Sequence, residues 1–453
     1  MKPIRFVTIL VTLVSLSVAG SSVGSNNGNP SNGDESFTAT RATAASTDDA
    51  KYAIWARKGT SKKDADGFYK TLVGMVQNKN EVEFLVNEKN IPYAWLAPLT
   101  AAQLSKVRAD SVVDRAEVDV QLRVERPRRS AAIRRRDNVQ RRPSKDKPMI
   151  DLRMLSTPPQ TPLLDYYGYD DSAGEGITIY MIDSGPFNFE HSELQPLDAS
   201  TKRENIDMLD RPWLINDDSY HGTCVVSKAV GNTVGVARRA NLVTVRIDVT
   251  PGQFRFIQAW QTIRNDIERK GLRGKAVVSS SAAFIAIKDR ERFRKTLVEL
   301  QEILESIIEM DVPIICPAGN SADKVGGSIE PSHLPAVLAD RLPVIVVGSA
   351  TVDGTMSRFS QRGILLTTWA IGEEVQCAER NSKDGLLTTE GTSVAAPQIA
   401  GLAAYFMSHP KFRRRLRPGT VAKDMQSLIR TYSHPRARSI RYPGIAWNGF
   451  QPA

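Results

Sequence analysis

Gly391-Thr392-Ser393-Val394-Ala395-Ala396-Pro397 is a turn of small residues that opens an apolar helix, expected from Ser393 to about Phe406. A serine in the first turn of a helix sits among amide N–H groups with no partner inside the helix, at the positive end of the helix dipole. That position suits a nucleophilic hydroxyl and the oxyanion its attack creates. It equally suits a capping serine, the commoner use of the residue. The heptapeptide alone leaves both readings open, and the segments around it decide.

From Met149 onward, strand and helix patterns alternate. Ile177–Ile182, Asn241–Ile247, Ala276–Ser279, Val312–Cys316 and Leu342–Val347 read as buried strands. Phe256–Lys270 and Phe293–Met310 carry apolar residues at helical spacing. This order predicts an α/β fold, a mainly parallel central sheet with helices on both faces. Ligands in such sheets bind at the carboxyl ends of the strands. The first strand ends there in Asp183-Ser184-Gly185, where an aspartate is either a fixed anion or an ordinary turn residue. His221-Gly222-Thr223 leads into the apolar run Cys224–Val230. The other histidines, His191, His333, His409 and His434, lie in polar or proline-containing stretches and read as surface or structural.

Together these segments resemble the subtilisin-like serine proteases (subtilases), whose triad follows the chain order Asp, His, Ser. Ile179–Leu194 is similar to the family's aspartate motif, and His221-Gly222-Thr223 with Gly235-Val236-Ala237 to its histidine region. Pro317-Ala318-Gly319-Asn320 resembles the segment that supplies an oxyanion asparagine. Val344–Ala350, Ser357-Arg358-Phe359-Ser360 and Gly372 also fit, so the resemblance spans about residues 150–410. It implies Ser393 as nucleophile, His221 as general base and acid, and Asp183 as the group that orients the imidazole. It also implies Asn320 and the Ser393 backbone N–H as oxyanion donors.

The substrate-pairing strand departs from the family pattern. Ser281 matches the family serine and Ala282 follows it, but Ser279 replaces an asparagine and Ala283 a glycine. A methyl at Ala283 is expected to narrow the main side-chain pocket. Cys224 follows the His-Gly-Thr motif, so a mercurial-sensitive thiol is expected near the catalytic site. The chemistry needs no cofactor. Calcium sites are common in the family, but no carboxylate cluster in this sequence supports one.

Before the catalytic region, Lys51 to Glu125 reads as β-α-β-α-β, with Thr100 and Gln103 as a capping box. This small α+β unit is similar to the inhibitory propeptides of the family. Lys2 and Arg5 precede the apolar run Phe6–Val18, and Ser17 and Ala19 fit a signal-peptidase site. The expected organisation is a signal peptide (1–19), a disordered segment (20–50) and the propeptide (51–125). A basic cleavable linker (126–147), the catalytic domain (150–430) and a C-terminal extension (431–453) complete it.

The chain has 453 residues and a net charge of +10. Ten basic against two acidic residues in 126–147 account for most of that charge, while 151–453 is close to balanced. A like-charged block of this kind stays extended and open to cleavage. Nucleic-acid binding would need basic residues spread over a folded face, and is not expected. Three cysteines leave at least one without an intrachain partner. The expected protein is a monomeric serine endopeptidase made as a zymogen, with protein or peptide substrates, its own propeptide as inhibitor and no membrane anchor. It is secreted or held in a vacuolar or other secretory compartment. The competing reading is a catalytically inactive subtilase fold that acts as a binding or inhibitory module.

Overall fold

The computed structural model describes residues 50–87, 89–119, 149–209, 221–248, 252–282, 284–285, 290–436 and 443–452. The expected signal peptide, the basic linker, Ala283 and nearly all of the segment before residue 50 lie outside the described residues.

The first unit consists of β1 (Lys51–Ala56), α1 (Lys62–Val73), β2 (Glu83–Val86), β3 (Pro92–Pro98), α2 (Ala101–Ala109) and β4 (Val113–Val118). Its antiparallel sheet has the order β2-β3-β1-β4. β2 was not expected from the sequence: four residues, half of them partly exposed, give too little alternation to register. The Thr100–Gln103 capping box closes the start of α2 on both sides. Successive side chains of a strand face opposite sides, and here both sides are covered. Ile54, Trp95, Ala97 and Ala116 pack on α1 and α2, while Ala53, Trp55, Leu85, Ala94 and Leu96 join the core of the larger unit.

The larger unit begins with α3 (Ile150–Ser156), β5 (Thr178–Asp183), β6 (Arg203–Asp207), α4 (His221–Val230), β7 (Asn241–Arg246) and α5 (Gln253–Arg269). β8 (Ala276–Ser280), β9 (Phe284–Ile285), α6 (Arg290–Glu309), β10 (Ile314–Pro317), β11 (His333–Leu334), β12 (Val344–Ala350) and β13 (Leu366–Ile371) follow. The hairpin β14 (Val375–Ala378) and β15 (Leu386–Thr389) leads to α7 (Thr392–Ser408), α8 (Pro410–Arg413), α9 (Val421–Thr431), β16 (Ser433–His434) and β17 (Ile445–Ala446). The central sheet has the order β16-β17-β13-β12-β10-β8-β5-β7-β6 and is parallel except for the pair β16–β17. This is the α/β architecture read from the sequence, with edge strands added. β6 is a polar edge strand, and its charged, half-exposed residues hid it. The segment after residue 430 supplies β16 and β17 to the same sheet. No described helix is long and apolar enough to cross a membrane.

One expectation is overturned. Cys224 is not a thiol: it forms a disulfide with Cys377, 153 residues away, and the unpaired cysteine is Cys316, buried in β10. Helix α4 turns Cys224 toward β14, where Cys377 lies. Native protein should therefore bind no mercurial near His221, and Cys316 should react only after unfolding. Burial pushes its thiol pKa up, which further suppresses the thiolate. Thiol titration of native against denatured protein reads this, and one reactive thiol in the native state would contradict it.

The small unit caps α5 of the large one. The Asp119 carboxylate accepts from Phe254 N–H at 3.0 Å, and Arg255 pairs with Glu83 at 2.7 Å. Gly252 leaves room for this approach, since a Cβ there would lie 1.9 Å from Asp119 Oδ2. Desolvation raises the Asp119 pKa, opposed by Phe254 N–H and Arg255. A carboxyl raised in the folded state contributes most below its unfolded pKa, and that contribution is lost as pH rises through the raised value. Asp119→Asn keeps an acceptor without the charge. It should match wild type in melting temperature at pH 4 and exceed it at pH 7; a variant less stable at pH 7 than at pH 4, relative to wild type, would contradict this.

Candidate active site

Asp183 is the last residue of β5, at the carboxyl edge of the sheet between β7 and β8. His221 is the first residue of α4, and its Nδ1 lies 2.8 Å from Asp183 Oδ1. A glycine makes this approach possible. A Cβ on Gly222 would stand 2.6 Å from the Gly185 Cα, so only a bare backbone lets the helix start rest on the aspartate turn. Thr223 completes the contact: its hydroxyl donates to the Pro186 carbonyl and accepts from Asn188 N–H, both at 3.0 Å. The His-Gly-Thr motif is thus a docking surface for the Asp-Ser-Gly turn.

Ser393 is the second residue of α7. Gly391 before it has φ 153°, a conformation disfavoured for residues with a Cβ, and its N–H donates to the Gly372 carbonyl at 2.7 Å. Pro397 stands four residues after Ser393 and has no N–H, so the Ser393 carbonyl lacks its i+4 helical donor. Ser281 Oγ donates to that carbonyl instead, at 3.3 Å. The serine of the expected substrate strand and the proline of the heptapeptide are therefore two halves of one contact. Ser281 also holds the strand to the sheet, its N–H donating to the Ile182 carbonyl at 3.1 Å. Ala282 is buried beside it, and its carbonyl accepts from Ser280 Oγ at 2.7 Å.

Asn320 follows Gly319, whose φ of 108° and 1.8 Å virtual Cβ contact with Gln361 Oε1 admit only glycine. Asn320 Oδ1 accepts from Thr392 N–H at 2.9 Å and from Thr392 Oγ1 at 2.8 Å. Thr392 Oγ1 in turn accepts from Gly319 N–H at 3.1 Å. This knot fixes which end of the amide is which: the oxygen is the end that accepts from Thr392, and the NH₂ end is the donor. Thr392 had no role assigned from sequence. A hydroxyl residue directly before a serine at a helix start was the available signal.

The sequence candidates Asp183, His221, Ser393, Asn320, Ser281 and Ala282 converge on the carboxyl edge of the sheet and the starts of two buried helices. Ala283 is not described. Ser393 Oγ and His221 Nε2 are both buried, and neither has a hydrogen-bond partner among the described residues. A hydroxyl and an imidazole nitrogen in that state can accept a reacting carbonyl carbon and a proton. Of the remaining histidines, His191 and His333 are buried and bonded to backbone: His191 Nε2 lies 2.8 Å from the Gly385 carbonyl and His333 Nε2 3.1 Å from that of Pro317.

No three His, Cys, Asp or Glu side chains among the described residues gather as metal ligands. The buried carboxylate of Glu193 is taken up by Thr233 N–H at 2.8 Å, Val234 N–H at 3.1 Å and the Thr233 hydroxyl. Its surroundings do not fit a cation.

The sequence profile of the subtilase family matches residues 174–439. Among curated proteins, subtilisin-like protease 3 of Pseudogymnoascus destructans is 31% identical over 254 residues, covering 55% of this chain and 57% of that one. Subtilisin-like protease 2 of Trichophyton rubrum is 28% identical over 257 residues, covering 55% and 54%. The chain thus spans about half the length of the curated relatives it matches. Among solved structures, a cold-adapted subtilisin-like serine proteinase superposes with a TM-score of 0.50 at 22% identity, over 68% of this chain and 99% of that one. That likeness is one of fold. With the profile matching more than half of its length, on the segments that carry Asp183, His221, Asn320 and Ser393, the chain belongs to the subtilase family.

Proposed function

We propose that this protein is a secreted serine endopeptidase made as a zymogen, with Asp183, His221 and Ser393 as its triad. The observation that carries the reading is the buried Asp183–His221 pair, with His221 Nε2 and Ser393 Oγ both without a hydrogen-bond partner among the described residues. In this mechanism Ser393 Oγ attacks the peptide carbonyl and its proton passes to His221 Nε2. Asp183 holds the proton on Nδ1 and stabilises the imidazolium. The oxyanion is held by the Asn320 side-chain amide and the Ser393 N–H; loss of one such donor typically costs about a hundredfold to a thousandfold in turnover. The intermediate expels the amine, which takes the proton from Nε2. Water then attacks the acyl-enzyme by the same route in reverse.

The small unit acts in this reading as an inhibitory propeptide. Its support is the docking of its sheet on the large unit's core and the Asp119 cap on α5. Cleavage within the basic 126–147 linker would release it. The substrates are proteins or peptides entering the secretory pathway or the outside medium.

A serine-directed organophosphorus reagent should label the processed protein once per chain, and Ser393→Ala should remove both labelling and peptide hydrolysis. Labelling at another residue, or proteolysis that survives Ser393→Ala, would contradict the assignment. The Ala283 methyl in place of glycine should favour cleavage after small residues. Comparable kcat/KM for matched substrates with phenylalanine and alanine before the scissile bond would contradict a narrowed pocket.

A further inference from the structure

Helix α4 carries, beyond His221, a lysine that the chemistry above does not use. Lys228 is fully buried, two turns down the helix from His221. Its ammonium donates to the Val234 carbonyl at 2.8 Å and the Gln376 carbonyl at 3.1 Å, and forms an ion pair with Asp151 Oδ2 at 2.7 Å. Asp151, itself buried, lies on α3. An ammonium withdrawn from water is unfavourable unless its partners replace the water. Here a carboxylate and two carbonyls from three separate segments do so.

The contacts on this face of α4 form a register. Residues spaced by three and four share one side of a helix, and Cys224, Ser227 and Lys228 all reach β14. Lys228 Nζ meets the carbonyl of Gln376, Cys224 bonds to Cys377, and Ser227 Oγ accepts from Ala378 N–H at 3.0 Å. Three links to three successive residues allow no slide of the helix along the strand. β14 pairs with β15 from Val375↔Thr389 to Ala378↔Leu386, and Ser393 follows four residues after Thr389. The helix that starts with the histidine thus grips the hairpin that delivers the serine.

We propose that Lys228, braced by Asp151, is a positioning residue for the reaction, setting His221 in register with Ser393 through residues 376–378. The inference rests on the serine-peptidase reading. Asp151 brings the helix that follows the linker into the same anchor. Geometry is where such a device acts: a displacement of about 1 Å in a catalytic pair can cost on the order of a hundredfold in rate.

The test compares purified wild type with Asp151→Asn, Lys228→Met and the double variant Asp151→Leu/Lys228→Met. The double variant replaces the pair by apolar groups, which proteins often tolerate without loss of stability. Steady-state hydrolysis of a soluble peptide substrate and the rate of organophosphonate labelling are read beside circular dichroism. The expected result is a double variant with near-wild-type folding, a kcat at least tenfold lower, KM within twofold and labelling slowed at least tenfold. A folded double variant with kcat within threefold of wild type would overturn the inference. So would variants whose kcat falls only in proportion to their folded fraction, which would make the pair a structural staple. A wild type that neither hydrolyses peptides nor takes the label overturns the peptidase reading, a result distinct from both.

Discussion

Helix α7 is buried on every side from Thr392 to Met407, and a helix that is apolar all round is held only by complete burial. Water therefore has little access to the amide groups of its first turn, and the protein must supply partners or leave them for a ligand. The knot of Thr392, Asn320 and Gly319 is the protein's partial answer. It ties the helix start to the loop after β10 and orients the Asn320 amide in the same stroke. The Ser393 hydroxyl at that spot has no hydrogen-bond partner among the described residues, so it is not tied up by the knot.

The rest of the site follows from bringing other backbones close to this helix. Gly401 lets α7 touch the end of α4 and the segment after it, since a Cβ there would lie 2.8 Å from the Val236 Cβ and 2.9 Å from the Ala229 carbonyl oxygen. Gly222 lets α4 touch the Asp183 turn. The glycines thus set distances between secondary elements, and the polar side chains span those distances with hydrogen bonds. The disulfide and the Lys228 cluster hold the far side of α4 against the hairpin that leads back to α7. Two buried helix starts and one strand end are locked into a closed ring, and the geometry of the proposed site becomes a property of the core.

The candidate residues Asp183, His221, Ser393 and Asn320 stand out in the sequence because each is marked locally, by a glycine or small residue whose backbone duty leaves a trace in the chain. The sheet was legible for a similar reason: β5, β7, β8, β10 and β12 are mostly apolar stretches. Other features leave no local trace. Cys224 and Cys377 are separated by 153 residues, and nothing near either names the other. Lys228 looks like the polar position of an apolar helix, and only the partners from α3 and β14 make it a buried cation. β2 and β6 are short or polar edge strands whose pairing depends on neighbours. The Ser281–Ser393 contact becomes intelligible once Pro397 is seen to free a carbonyl. What sequence conveys well is the residue whose environment lies within its own turn; what it conveys poorly is a contact between distant segments.

The most direct measurement is a high-resolution crystal structure of the processed protein inactivated by a peptidyl phosphonate. The expected result is a covalent bond from Ser393 Oγ to phosphorus, with one phosphonyl oxygen within about 3 Å of both Asn320 Nδ2 and Ser393 N, and His221 Nε2 facing Ser393 Oγ. An adduct on another residue, or a phosphonyl oxygen turned away from Asn320, would contradict the central claim.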